Sequence, residues 1–202
     1  VAAGALFSLN GFSDSVQSLA GAGTVDFGGG ALTLGTGLGS PLATTFSGTL
    51  AGVGSLKLAD ADYTLNFGAA INNASLGIEL GGGKLGLGGF THTFDTLTVS
   101  GDSILDFGGA SAATFNAINF TGDYTLTVQN WTDTVDYFYS LLAPNSVDLS
   151  RIVFTGFTGS DTKYQSYDLQ VTPVPEPSTY GAIFIGLSGA FVWWRRRSSK
   201  QR

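Results

Sequence analysis

The chain has 202 residues, no cysteine and only 12% charged residues, about half the usual share. Disorder is excluded because a disordered chain needs low hydrophobicity and high charge, whereas 22 residues here are Phe or Tyr. The missing cysteines exclude disulfides, thiolate metal sites and a cysteine nucleophile. With 30 glycines, this composition and length predict one β-rich domain with an appendage.

The net charge of −6 is unevenly distributed along the chain. Residues 174–202 contain five basic residues and one acidic residue, so residues 1–173, the body, carry a net charge of −10. An acidic body with so few cations cannot neutralise a phosphate backbone, and we expect no nucleic acid partner. The only basic residues of the body are Lys57, Lys84, Arg151 and Lys163.

Short bursts of apolar residues two positions apart run through the body, and this period predicts strands with one buried face. Glycine-rich corners, such as residues 28–30, 81–83 and 108–109, separate the bursts. Strands of three to five residues between glycine corners favour a coiled solenoid, although a sandwich stays open. Clear examples are Val25 and Phe27, Leu32 and Leu34, Leu56 and Leu58, Leu97 and Val99, Tyr124, Leu126 and Val128, and Tyr167, Leu169 and Val171.

A repeated segment, which we call the echo, supports the solenoid. Residues 19–25 (LAGAGTV) return 31 positions later as residues 50–56 (LAGVGSL), which predicts stacked units. With residues 45–50 (TFSGTL) before the second copy, the pattern resembles the autotransporter-associated β-strand repeat over residues 10–68. The resemblance implies an all-β fold, a right-handed parallel β-helix or β-solenoid. We assign residues 1–130 to the solenoid repeats.

The end of the body has a different pattern. Trp131, Val135, Phe138 and Leu142 fall at helical spacing after a cap near Asp133. This spacing predicts a short helix over residues 131–143 that closes the open end of the coil. Residues 131–173 are therefore interpreted as a short helix and the closing strands of the same domain.

Residues 174–202 form the tail. Residues 179–194 carry no charge and as a helix would span about 24 Å, which is short against a hydrocarbon core of about 30 Å. Two tryptophans end this run, and they are followed by three arginines that we name the basic stop: Arg195, Arg196 and Arg197. This order predicts a transmembrane helix with a cytoplasmic C-terminus and the body outside. A buried helix of a soluble domain is disfavoured because such helices rarely end in two Trp and three Arg.

The span follows Val174, Pro175, Glu176 and Pro177, where each proline removes a donor and restricts its predecessor, so the segment is extended. A Pro-Glu-Pro motif, a short apolar run and a basic end resemble the PEP-CTERM sorting signal of bacterial surface and matrix proteins. The resemblance implies that an exosortase, a membrane protease or transpeptidase, cuts near these four residues. It further implies a membrane-anchored precursor and delivery to the cell surface or extracellular matrix, much as a GPI signal is removed.

Candidates for chemistry in the body are few. His92 is the only histidine, so a Ser-His-Asp triad would need it; between two threonines at a strand start, it is interpreted as solvated or structural. Asp60 with Asp62, and Asp102 with Asp106, allow a weak calcium site but lack the twelve-residue calcium-loop pattern. We therefore predict solvated turn carboxylates, and no catalytic, cofactor-binding or metal-ligating residue.

Taken together, the sequence predicts a non-catalytic exported surface or matrix protein. Two alternatives stay open: an adhesin that binds polysaccharide, and, least favoured, a degenerate β-helical carbohydrate-active enzyme. A row of exposed aromatics on one face would favour binding, whereas a groove with several acids within reach of one another would favour the enzyme.

Overall fold

The computed structural model describes residues 1–157 and 162–173, which form strands and one short helix, α1 (Ser146–Ser150). In chain order the strands are β1 (Leu6–Ser8), β2 (Asp14–Val16), β3 (Thr24–Asp26), β4 (Ala31–Leu34), β5 (Leu42–Phe46), β6 (Thr49–Ala51), β7 (Gly54–Leu58), β8 (Tyr63–Phe67), β9 (Asn72–Asn73), β10 (Leu76–Gly81), β11 (Lys84–Gly86), β12 (Thr91–Gly101), β13 (Ser103–Asp106), β14 (Ala112–Phe120), β15 (Leu126–Gln129), β16 (Tyr137–Ser140), β17 (Ile152–Phe154), β18 (Thr162–Gln165) and β19 (Gln170–Pro173).

The strands form three sheets that run along one coil of about six turns. The first sheet contains β1, β3 and β6, and the third contains β5, β8, β11, β13, β15 and β17. The second sheet runs from β2 through β4, β7, β10, β12, β14 and β16 to β19 and β18, with β9 beside β12. Every pairing between turns is parallel up to β16 among the described residues, which confirms the predicted β-solenoid. The right-handed sense of the coil stays a prediction.

Each strand pairs with the strand one turn before it and one turn after it. Leu56 of β7, for example, pairs with Leu32 of β4 and with Ile78 of β10, and all three side chains are buried. Parallel register therefore stacks inward residues in columns, and the predicted alternation is confirmed for most bursts. It fails at Tyr124 and Tyr167, which are exposed.

The 31-residue echo is not the length of a turn. Val25 pairs with Leu50, which is 25 positions later, whereas Leu56 belongs to another sheet. Leu97 pairs with Ile118, only 21 positions later. Turn length varies because the corners differ in length while the strands stay paired. The predicted stacked units are therefore confirmed, but the 31-residue spacing of the echo is not their length.

Close packing between successive turns explains why glycine stands at the corner before the second copy of the echo. The Ser47 amide donates to the Gly21 carbonyl at 2.8 Å, and the Thr49 amide donates to the Gly23 carbonyl at 3.0 Å. A Cβ added at Gly48 would lie 1.9 Å from the Gly23 oxygen. This corner therefore requires glycine because one turn's backbone lies directly against the next.

A column of aromatic rings fills the later half of the core. Phe94 lies between Phe67 and Phe115, with ring centroids 5.9 and 5.6 Å away, and the column continues to Phe138 at 6.0 Å from Phe115. Ring pairs at these distances add stabilisation beyond the apolar area that they bury. All four phenylalanines are buried.

The helix predicted over residues 131–143 was wrong. Asn130 and Thr134 have positive φ angles of 53° and 65°, and residues 137–140 form β16 on the open edge of β14. Helical spacing was misleading because Phe138 is buried in the core, whereas Leu142 is exposed. Pairing with β14 gives this segment hydrogen bonds to an existing strand, which a short helix does not supply.

The coil closes with α1 and a β-hairpin. Helix α1 begins after Asn145, whose side chain accepts the Asp148 amide at 2.9 Å, and it contacts β14, β17 and β18. Strand β19 then pairs antiparallel with both β16 and β18. The parallel ladder therefore ends in a reversal of chain direction.

No helix in residues 1–157 and 162–173 is both long and apolar enough to cross a membrane. The predicted span, residues 179–194, lies outside the described residues.

We expect Phe94→Ala to lower the free energy of unfolding by about 3–5 kcal/mol, because it leaves a cavity between the rings of Phe67 and Phe115. The matched control is Phe90→Ala, since Phe90 is 37% exposed and should cost less than about 1 kcal/mol. Urea unfolding followed by circular dichroism measures both. Equal losses in the two variants would contradict a core held by this column.

Candidate functional site

The tail joins the folded body without a spacer. Strand β19 ends at Pro173, which pairs with Thr162, and its last three residues are buried. The next residue is Val174, the first residue of the predicted sorting motif. A paired strand therefore leads directly into the tail.

Side chains tie the β18–β19 hairpin to the coil. The Tyr164 hydroxyl donates to the Ser140 carbonyl at 3.0 Å, and the Thr162 hydroxyl donates to the Ile152 carbonyl at 2.5 Å. The hairpin is thereby attached to strands of both the second and the third sheet. A force on the tail would be carried by these contacts and by the strand pairing.

A row of outward-facing residues, which we name the outer row, runs across the second sheet and into the hairpin. Its neighbours pair across successive strands, and cross-strand partners project to the same side of a sheet. Each member is partly exposed. The outer row consists of Thr93 (β12), Thr114 (β14), Tyr139 (β16), Gln170 (β19) and Gln165 (β18).

Tyr137 lies next to the outer row on the same strand as Tyr139. The two rings are parallel, with an interplanar angle of 0° and centroids 5.7 Å apart. The Tyr137 hydroxyl donates to the Thr134 carbonyl at 3.1 Å. Burial, together with Tyr137 and Asp168 nearby, raises the pKa of Tyr139, so its phenol stays protonated at neutral pH.

A charged cluster lies on the outside of the second sheet. Glu79 accepts from the Lys57 ammonium and from the Ser100 hydroxyl, both at 2.6 Å. Burial acts to raise the pKa of Glu79, but these two bonds outweigh it and hold the pKa below its usual range. A carboxylate so stabilised is a poor base for Ser100, and the cluster is better suited to linking three turns than to catalysis.

His92 is fully buried, which corrects the solvated alternative and agrees with a structural role. Its Nδ1 accepts the Ile71 amide at 3.1 Å, so the proton lies on Nε2, 2.9 Å from the Leu87 carbonyl that accepts it. The ring packs against Phe67, with centroids 5.0 Å apart. Burial lowers the pKa of His92, and both nitrogens are occupied by backbone groups.

The four candidate calcium ligands do not come together. Asp60 accepts the Asp62 amide at 2.9 Å, and Asp102 accepts the Thr125 amide at 2.8 Å. Asp106 is paired with Lys84 at 2.5 Å. Among residues 1–157 and 162–173, no three His, Asp or Glu side chains form a group that could hold a metal ion.

The tail was compared with known protein families. The model for the PEP-CTERM protein-sorting motif matches residues 173–197. The chain carries a PEP-CTERM motif at its C-terminal end. The match includes Val174, Pro175, Glu176 and Pro177, and the basic stop Arg195, Arg196 and Arg197, all of which lie outside the described residues. No curated protein and no solved structure matches the chain.

The PEP-CTERM motif begins at Pro173, so it overlaps the last residue of β19. Sequence reasoning found this motif but missed the tyrosine pair. The signal was present in residues 137–140 (YFYS), where the two tyrosines stand two positions apart and Phe138 and Ser140 alternate with them on the buried face. It was overlooked because helical spacing from Trp131 was given more weight.

We expect acid to destabilise the body partly through His92. Its lowered pKa means that the unfolded chain binds a proton more readily than the folded chain. This contribution to stability is complete above the ordinary pKa of about 6.5 and is lost as pH falls from there through the lowered folded-state pKa. Urea unfolding of an untagged chain at pH 7.5 and pH 5 measures the loss.

His92→Gln is the matched variant because an amide can accept from Ile71 and donate to Leu87 without titrating. It should lose less stability between the two pH values than the native chain does. Equal losses in both proteins would show that His92 does not contribute to the pH dependence.

Proposed function

We propose that the chain is a non-catalytic β-solenoid, exported and sorted by an exosortase to the cell surface or extracellular matrix. The observation that carries the proposal is the PEP-CTERM motif, which begins at the last residue of the final strand of the folded body. In the proposed arrangement, the folded body is followed by the Pro-Glu-Pro segment and then by residues 179–194 as the membrane anchor.

The proposed precursor is anchored through residues 179–194, with Arg195, Arg196 and Arg197 in the cytoplasm. The body then lies outside, with the β18–β19 hairpin at the end of the coil nearest the membrane. Because each proline lacks a backbone donor and restricts its predecessor, the proposed cleavage segment suits an enzyme that binds extended substrates. The exosortase would remove the anchor at or near this segment.

A structural role for the body is supported by how its polar groups are used. Outward charges pair between turns, as Lys57 does with Glu79 and Lys84 with Asp106. The net charge of −10 favours solubility outside the cell. The similarity of residues 10–68 to autotransporter-associated repeats is supported by the parallel coil and stays part of this proposal.

The absence of catalysis is likewise proposed. His92 has both nitrogens engaged with backbone groups, and Glu79 has a lowered pKa. These residues support the fold, and neither is free to move a proton for a substrate.

A second candidate function is binding of polysaccharide as an adhesin. It is favoured by the pair of exposed Tyr137 and partly exposed Tyr139, because paired outward rings are a recognition feature that a purely structural coil does not need.

We expect the chain recovered from the medium and the envelope surface of its bacterial host to lack the residues after the PEP-CTERM motif. The double variant Pro175→Ala, Pro177→Ala should keep the tail and accumulate in the membrane fraction, because the cleavage segment no longer stays extended. The intact mass and the C-terminal peptide of the protein in each fraction show whether the tail has been removed. Pro144→Ala, a proline outside the motif, is the control and should be processed normally.

An uncut native chain that stays in the membrane would overturn sorting by exosortase and leave a simple anchored protein.

The basic stop should hold the precursor in its orientation. Replacing Arg195, Arg196 and Arg197 with glutamate removes the positive charge that keeps the C-terminus in the cytoplasm. We expect less processed protein at the surface and more full-length chain inside the cell, as measured by protease protection of intact cells and spheroplasts. Lys200→Glu, one charge beyond the stop, should change little. Unchanged export of the triple variant would contradict the predicted topology.

A further inference from the structure

We propose that the outer row and Tyr137 bind an extended, uncharged polysaccharide. The inference deepens the adhesin candidate of the proposed function, and it assigns the binding to one place on the second sheet. It rests on four features of the surface: a straight row, a pair of rings, uncharged polar groups and a rigid backbone.

The outer row is straight because its members occupy paired positions. Thr93 pairs with Thr114, and Thr114 with Tyr139. Gln170 pairs with both Tyr139 and Gln165. Five strands at about 4.8 Å spacing give a row of about 19 Å. A surface of this shape fits a chain-like ligand that lies across the strands.

The row combines flat apolar surface with hydrogen-bonding groups. Tyr137 and Tyr139 supply parallel rings, and Tyr137 is 36% exposed. Threonine hydroxyls lie on one side of the rings and glutamine amides on the other. A sugar ring has an apolar C–H face and a hydroxyl edge, so aromatic rings beside amides and hydroxyls match its chemistry.

Charge favours an uncharged ligand. No member of the outer row is ionised at neutral pH, and the residues that border it, Asp95, Asp168 and Lys163, add a net negative charge. The body as a whole carries −10. Anionic polysaccharides would be repelled, whereas neutral ones meet no penalty.

The row is held in place before any ligand arrives. Its residues lie on paired strands, the Tyr137 hydroxyl is bonded to the Thr134 carbonyl, and the Gln165 amide donates to the Thr172 hydroxyl at 2.8 Å. Little side-chain freedom is therefore lost on binding, which raises affinity for a given set of contacts.

The test is native affinity electrophoresis of the full chain in gels containing hydroxyethyl cellulose or dextran as uncharged probes, and alginate as an anionic probe. We expect retardation by at least one uncharged polysaccharide and none by alginate. Tyr137→Ala with Tyr139→Ala should weaken retardation about tenfold in dissociation constant. Tyr124→Ala is the matched control, because Tyr124 is 37% exposed but lies away from the row.

Circular dichroism of each variant separates lost binding from lost folding, and Gln170→Ala, which keeps both rings, supplies a second binding variant. The inference is overturned if neither uncharged probe retards the native chain, if alginate alone does, or if a folded double-tyrosine variant is retarded as strongly as the native chain. Its failure is distinguishable from failure of sorting. A processed surface protein without binding overturns this inference alone, and an unprocessed chain that binds overturns sorting alone.

Discussion

The backbone ladder between successive turns is the constraint on which the rest of the structure depends. Parallel register places each residue above its counterpart one turn earlier, so inward side chains form columns that are closed to water. A polar side chain in such a column must therefore form its hydrogen bonds with groups inside the core. His92 does so with two backbone groups, and burial keeps its ring neutral. The corners lie outside these columns, and turns of different length follow one another while the strands stay paired, with a register shift between β10 and β12 at Leu80 and Gly81.

A coil built in this way has an edge at each end, and an open edge can pair with another chain. At the C-terminal end the edge is covered in two ways. Helix α1 packs against β14 and β17, and β19 covers β16 by running antiparallel to it. Arg151 pairs with Asp123 and Asp148 and lies 5.9 Å from the Phe120 ring, which links the helix to the neighbouring corner. The closing elements thus combine pairing, packing and charge at one end.

Local sequence pattern favoured a coil over a sandwich and identified the sorting motif, and the resemblance to a known repeat supplied the parallel direction of the strands. Apolar residues two positions apart, such as Leu32 and Leu34, indicate a strand with one buried face. This signal does not depend on which strands lie next to it. Turn length was not predictable, since it depends on which strand finds which partner across a corner. The helix over residues 131–143 failed for the same reason: the open edge of β14 is a tertiary feature, and it outweighs helical spacing.

Local sequence pattern could not predict the outer row either, because its five members come from five strands. Only Tyr139 and the adjacent Tyr137 share a strand, and the row depends on the antiparallel return of β19. That strand has two roles, since Gln170 belongs to the row and Pro173 precedes the tail. Only the last residue of β19, Pro173, belongs to the PEP-CTERM motif, and the rest of the strand is paired with β16 and β18. Under the proposed sorting, a cut after Pro173 removes the proposed anchor and keeps every strand of the row, so the anchored and released forms would present the same surface to a polysaccharide.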